Sequence, residues 1–400
     1  MGIISDKINR LEESATLAMT KKSRELKAQG VDVINLSIGE PDFDTPEFIK
    51  EAAKKAIDEN YTHYSPVPGY QELREAIANK LKRDNNVDYT ANQVVVSTGA
   101  KQSISNVFTS ILNEGDEVII PAPYWVSYAD MVKLADGTPT TIQTLITNDF
   151  KVTPQEIKET ISEKTKAIIF SSPCNPTGTV YTRAELKAIA NVLKDYPNIV
   201  IISDEIYEHI NFDAVHESIA QFEEVKNQVV IINGVSKGFA MTGWRLGFMA
   251  GPTEIVKACI KYQGQTTSGT NSIAQRAAIT AFNAIPKENE EIKNMVLAFH
   301  TRRDLFISLL NDIPGFKTNI PEGAFYLFPN VEDFFGKSYG DRKITNATEF
   351  VLYLLDEANV ALVTGEAFGD PRCIRFSYAA SEETLKIASK RIKEACAKLV

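Results

Sequence analysis

From Val94 to Ala250 the chain alternates short apolar runs with stretches in which apolar residues recur about every 3.6 positions. The runs are "VVVS", "EVII", "KAIIF", "IVIIS", "VVIIN" and "LGFMA"; a typical stretch between them is "RAELKAIANVLKDY", with one apolar face. Runs that are apolar on both faces suit strands covered from both sides, and strands alternating with helices make parallel pairs. The pattern predicts an α/β fold with a mostly parallel central sheet sandwiched by helices. Neither a repeat nor a low-complexity linker interrupts it.

The last hundred or so residues read differently. A long charged helix is predicted around "KENEEIKNMVLAFHTRRDLFISLLND", followed by "GAFYLF", "VALVT" and "CIRFSYA" as strands mixed with helices. This predicts a second, smaller α+β domain. The segment up to Thr45 holds one helical stretch and the turn-rich "SIGEPDFDTP", too little to fold alone, and is expected to pack with the C-terminal part. The expected division is a large domain over 46–289 and a discontinuous small domain from 1–45 and 290–400.

Composition narrows the function. The 400 residues are 44 % hydrophobic and 24 % charged, enough for two or three domain-sized cores. A formal net charge of -9 disfavours nucleic acid, whose binding needs clustered Lys and Arg. No apolar run approaches the roughly 18 residues of a membrane span, and "MGIISDKINRLEES" lacks a hydrophobic signal region, so a cytoplasmic protein is expected. The opening Met-Gly is not read as a myristoylation signal, because Asp6 stands where Ser or Thr is needed. Cys174, Cys259, Cys373 and Cys396 lack metal or redox spacing and are read as reduced structural thiols.

In open α/β sheets ligands bind at the carboxyl ends of the strands. After "VVV" comes Ser97 and then Gly99-Ala100-Lys101 leading into a helix; after "EVII" comes "PAPYW" with Trp125; after "KAIIF" comes "SSPCNPTG" with Asn175. After "IVII" come Asp204 and Tyr207, and after "VVIIN" come Ser236 and Lys237. Singly each has an ordinary structural reading: Asp204 a helix cap, Trp125 a core residue, Lys237 a solvated loop residue. Their joint placement at five predicted strand ends points to one site.

The start of a helix at Gly99-Ala100-Lys101 suits a phosphate, yet neither a Walker loop nor a dinucleotide fingerprint is present. A phosphate site, an aromatic plate, a carboxylate, a phenol and a lysine match the needs of pyridoxal 5'-phosphate, whose aldehyde takes a lysine amine as a Schiff base and whose ring nitrogen wants an acidic partner. Lys237 is then the Schiff-base lysine and Asp204 the partner of the ring nitrogen. Tyr207 and Asn175 hydrogen-bond the ring oxygen, and Trp125 stacks on the ring. Arg245 and Ser236 add charge and a hydroxyl to a phosphate held by the Gly99, Ala100 and Lys101 backbone.

The motifs "NLSIGEPDFDTP", "YSPVPGYQELREAI", "STGAKQSI", "PYWVSY", "SSPCNPTG", "SDEIYEHI", "SKGFAMTGWRLG", "EGAFY" and "IRFSYA" span essentially the whole chain. Together they resemble the fold-type I aminotransferases of the aspartate aminotransferase family, in particular its bacterial aspartate and aspartate/prephenate branch. The resemblance implies that Arg375 clamps the substrate α-carboxylate, assisted by the Gly39 backbone and the Asn175 amide. It implies that Lys101 meets a distal carboxylate, with Ser14 or Thr16 near by, and that Tyr64 reaches the cofactor phosphate of a neighbouring subunit in a homodimer. Many relatives have Asn-Pro-x-Asn-Pro where this chain reads Ser172-Pro173-Cys174-Asn175; Asn175 is kept, and a buried, inert Cys174 is expected.

The expected reaction is amino transfer between aspartate, or another dicarboxylic amino acid, and 2-oxoglutarate, with prephenate as a candidate acceptor. A β-lyase, a cyclopropane-forming synthase and an aromatic- or alanine-type aminotransferase share the cofactor residues and stay open at this point. A cofactor-binding regulator lacks a basic DNA-reading segment, and a dehydrogenase lacks its fingerprint.

Overall fold

The structure is a computed structural model that describes residues 3–11 and 15–400. Seven strands form the main sheet in the order Val94–Ser97, Gly247–Ala250, Val229–Gly234, Val200–Asp204, Thr165–Ser171, Glu117–Ala122, Thr138–Gln143. Gly247–Ala250 runs antiparallel to both neighbours and every other pairing is parallel. The edge strand Thr138–Gln143, "TPTTIQ", is absent from the apolar runs read in the sequence, because it is largely exposed or half-buried and three of its six residues are threonines.

The alternation of side chains divides the sheet's core into two layers. Val94, Val96, Ile168, Ile201 and Ile231 face one layer, where they meet Leu73, Ile77 and Leu81 of the helix Gln71–Asn85 and Leu186 and Ile189 of Arg183–Leu193. Val95, Ala167, Ile169, Ile202 and Ile232 face the other, against Ile104 and Phe108 of Ala100–Ile111 and Val132 of Ser127–Leu134. Local sequence sets the helix ends: the Thr182 hydroxyl accepts the Glu185 N–H while the Glu185 carboxylate accepts the Thr182 N–H, a capping box opening Arg183–Leu193.

A second core forms around the three-stranded antiparallel sheet Val363–Thr364, Ile374–Ser377, Tyr326–Leu327 and the helices Ala347–Ala358 and Glu382–Cys396. The helix Glu290–Asn311 joins the two cores, since Ile292 packs in the first and Met295, Phe299, Phe306 and Leu310 in the second. The strand Ile34–Asn35 pairs in parallel with Val360–Ala361, tying the N-terminal segment to this second core. The beginning of that segment makes a further contact. Two helices precede residue 30, and the first, Asp6–Asn9, lies against the sheet-containing half, where Lys7 Nζ is 2.8 Å from Asp136 Oδ2. Ile8, the one apolar residue of this four-residue helix, stays exposed, so the ion pair is its visible tie to that half. Among the described residues no helix is long and apolar enough to cross a membrane.

Candidate active site

The connections on the two sides of the Glu117–Ala122 and Thr165–Ser171 pair lead in opposite directions across the sheet, which opens a crevice at the carboxyl edge. A cavity of about 270 Å³ lies there, lined by Ala100, Lys101, Trp125, Asn175, Asp204, Tyr207, Ser236, Lys237, Arg245 and Arg375 together with Gly39 and Thr16. Eight of these, from Ala100 to Lys237, stand at or just after the carboxyl ends of five strands, as the sequence pattern predicted. Arg245 arrives by another route: its strand is antiparallel, so the amino end of Gly247–Ala250 lies at this same edge.

Glycine permits the approach of the phosphate-site elements. Gly99 has φ +84° and caps the helix Ala100–Ile111, and a Cβ there would stand 2.5 Å from Arg245 Nη2. A Cβ on Gly247 would collide with the Ala100 nitrogen. Helix start and guanidinium are therefore brought together by two missing side chains.

Asp204 is buried and is oriented by two donors, the Tyr128 hydroxyl to Oδ2 at 2.6 Å and the Ile206 N–H to Oδ1 at 3.2 Å. Burial pushes its carboxyl up to about 6 against these donors. The Lys237 amine donates to the Gly39 carbonyl. Burial lowers its pKa to about 8; Glu40 and Asp204 pull it back up, while Arg375 and Arg245 push it further down. An amine held this close to neutrality is both nucleophile and base.

At the opposite wall Arg375 is buried, 2 % exposed. Nη1 donates to Asn175 Oδ1 at 3.0 Å and Nη2 to the Ser37 carbonyl at 2.6 Å, while Nε is buried with no partner among the described residues. The guanidinium lies 4.7 Å from the Tyr326 ring centroid. The Gly39 carbonyl accepts from Lys237 and the Ser37 carbonyl from Arg375, and Gly39 lines the same cavity. The Tyr207 hydroxyl is 2.7 Å from that of Tyr326. Lys101 Nζ lies 4.8 Å from the Trp125 ring centroid, its pKa lowered by burial and by Arg245.

Among the described residues none of Lys101, Lys237, Arg245 and Arg375 forms an ion pair. Four cations turned into one cavity around a single buried carboxylate make a receptor for anions. Tyr64 is not part of this cavity; it is fully exposed on the single chain. Ser14 lies outside the described residues. Tyr128, Tyr326, Ser37 and Ser171 were not singled out in the sequence. Tyr128 and Tyr326 stand inside the quoted "PYWVSY" and "EGAFY", but a buried phenol reads there as core. Cys174 is buried, its thiol pKa raised by burial, as an inert thiol should be.

Residues 31–392 match the family described as aminotransferase class I and II. The chain belongs to that family. It is 48 % identical over 399 residues to a probable aspartate/prephenate aminotransferase of Rickettsia typhi, covering 99 % of each chain. It is also 48 % identical over 406 residues to an aspartate/prephenate aminotransferase of Cereibacter sphaeroides, covering 100 % of each. The solved aspartate aminotransferase from Rhizobium meliloti superimposes with a TM-score of 0.96 at 39 % identity over 100 % of both chains. The fold expected from the sequence is thereby shown, and this family member is an enzyme of the aminotransferase type.

Proposed function

We propose that this aminotransferase uses pyridoxal 5'-phosphate to move an amino group between L-aspartate, or another dicarboxylic amino acid, and 2-oxoglutarate, with prephenate as a further acceptor. The observation that carries the reading is the set of four unpaired cations around Asp204 and Lys237. Arg245 at the helix start answers a phosphate, Lys237 an aldehyde, and Arg375 and Lys101 answer the two carboxylates of a dicarboxylic substrate. Among the described residues Arg375 Nε has no partner and adds a donor that an apolar ligand would leave unsatisfied. The residues present therefore fit the cofactor. The names of the relatives favour the aspartate-type reading over a β-lyase or an aromatic-type enzyme.

When bound, the cofactor supplies an aldehyde that captures the substrate amine and a protonated ring that takes up the electrons released as Cα loses its proton. The residues of the chain do the rest. Gly99, Ala100, Lys101, Ser236 and Arg245 hold the phosphate; Asp204 holds a proton at the ring nitrogen; Tyr207 and Asn175 donate to the ring oxygen; Trp125 covers the ring face. Arg375, with Asn175 and the Gly39 backbone, binds the α-carboxylate, and Lys101 with Thr16 binds the distal one. The Lys237 amine would take the proton from the substrate Cα and deliver it to the cofactor carbon C4' that carried the aldehyde.

We place the protein in the cytoplasm as a homodimer, with Tyr64 reaching the phosphate of the neighbouring copy, and divide it into a large domain of 46–289 and a small one of 1–45 with 290–400. The exposure of Tyr64 on the single chain supports the dimer, and the unpaired state of the four buried cysteines supports the cytoplasm. The test is a panel of amino donors added to the cofactor-loaded protein. L-Aspartate is expected to convert the bound chromophore to its aminated form with oxo acid produced and no ammonia; ammonia release would mark a lyase and overturn the reading.

A further inference from the structure

Asp204 depends on a residue that the sequence motifs leave without a task. Tyr128 sits in the first turn of Ser127–Leu134, is 1 % exposed, and donates its hydroxyl to Asp204 Oδ2 at 2.6 Å. Its ring also stands edge-on to Trp125, with centroids 5.5 Å apart and planes at 86°. One side chain thus touches both the expected partner of the ring nitrogen and the expected plate over the ring face. We infer that Tyr128 is a positioning residue for amino transfer: its hydroxyl holds Asp204 as an oriented anion, and its ring holds Trp125 in place. This rests on the cofactor reading above.

The physical reason is a contest over the charge of one carboxyl group. Burial favours neutral Asp204, and the adjacent Glu205 pushes the same way. Against them stand the Tyr128 hydroxyl, the Ile206 N–H and the Lys237 amine. Tyr128 is the one side-chain donor among these, and it keeps its proton, because burial and the neighbouring Asp204 raise the phenol well above its ordinary 10.0. Without that donor the carboxyl loses the hydrogen bond that favours its charged form. A neutral Asp204 offers no negative charge to hold a proton on a ring nitrogen.

Tyr128→Phe keeps the ring and removes only the hydroxyl. The protonation of Asp204 is read by infrared titration of the cofactor-free full chain, its carboxyl band assigned by loss in Asp204→Asn. In Tyr128→Phe the midpoint is expected to rise by about 1–2 pH units, the shift equivalent to one hydrogen bond to a charged group. In the loaded enzyme kcat for L-aspartate falls roughly 2- to 10-fold at about pH 7, the loss of charged Asp204 that such a shift gives, while KM changes less than about 2-fold. Replacing Tyr128 with 3-fluorotyrosine, a stronger donor of nearly the same size, lowers the midpoint instead, a response that a packing role would not give. A midpoint unmoved in Tyr128→Phe overturns the inference, as does a fluorotyrosine protein that titrates like the parent; should the Phe variant not fold, the fluorotyrosine protein decides. Cofactor binding by the parent is followed separately by its visible absorbance, so a failure of the cofactor reading is told apart from a failure at Tyr128.

Discussion

Lys101→Ala removes a single amine from the wall of the cavity, and the structure says what else goes with it. Nζ has no carboxylate partner and rests 4.8 Å from the Trp125 ring centroid, and Arg245 lies close enough to lower its pKa. Losing the amine therefore breaks no ion pair, and it relieves a like-charge repulsion at the phosphate end, so cofactor affinity is expected to hold or improve. What disappears is a charge-assisted hydrogen bond to the distal carboxylate, contributing about 1.5–3 kcal/mol. At about 1.4 kcal/mol per decade this is a roughly 10- to 100-fold fall in kcat/KM for L-aspartate. Steady-state kinetics with L-aspartate and L-phenylalanine, with cofactor affinity measured alongside, separate the effects: the uncharged donor should lose little or even gain. An equal loss for both donors would refute the dicarboxylate argument and assign Lys101 to the cofactor or the fold.

Asp204→Asn should abolish exchange of the substrate Cα proton while leaving substrate affinity within a few-fold, checked by exchange of Cα-deuterated aspartate; a parental exchange rate would contradict the role given to Asp204. Lys237→Met should stabilise the cofactor-free protein. Burial lowers the amine from 10.5 to about 8, so the unfolded chain binds more protons between those values and the parent gains stability as pH rises through them. The advantage of the Met variant is thus largest below about pH 8 and shrinks towards 10.5, as thermal unfolding across that range will report. Behind the site, Lys80 and Glu208 form a buried ion pair closed by Asn85, which accepts from Lys80 at 2.6 Å and donates to Glu208 at 2.9 Å. Lys80→Met leaves that carboxylate uncompensated and should cost about 3–5 kcal/mol in denaturant unfolding; a cost under about 1 kcal/mol would mean that Glu208 simply takes up a proton.

The sheet was legible because its strands are apolar on both faces, and such runs are hard to read as anything else. Thr138–Gln143 escaped because an edge strand needs neither face fully covered, and a run of threonines carries no period. The first helix was not legible because its position rests on Lys7 and Asp136, partners 129 residues apart with no pattern linking them. At the site, residues at strand ends stood out because polar groups following apolar runs are anomalous. Tyr128 and Tyr326 did not, since a phenol suits a core as well as a site until its hydroxyl is seen against Asp204 or Tyr207. Arg375 needed the family motif: its strand is buried, but nothing in "CIRFSYA" says that the guanidinium points inward to Asn175.

The central claim is that Lys237 carries the cofactor in an enzyme of amino transfer. Its most direct test is borohydride reduction of the protein loaded with pyridoxal 5'-phosphate, followed by peptide mass spectrometry. The account predicts a phosphopyridoxyl group on Lys237 alone, lost when L-aspartate is added before the reductant, because the amine is then freed. Label on another lysine, or label on Lys237 that L-aspartate cannot displace, would contradict it.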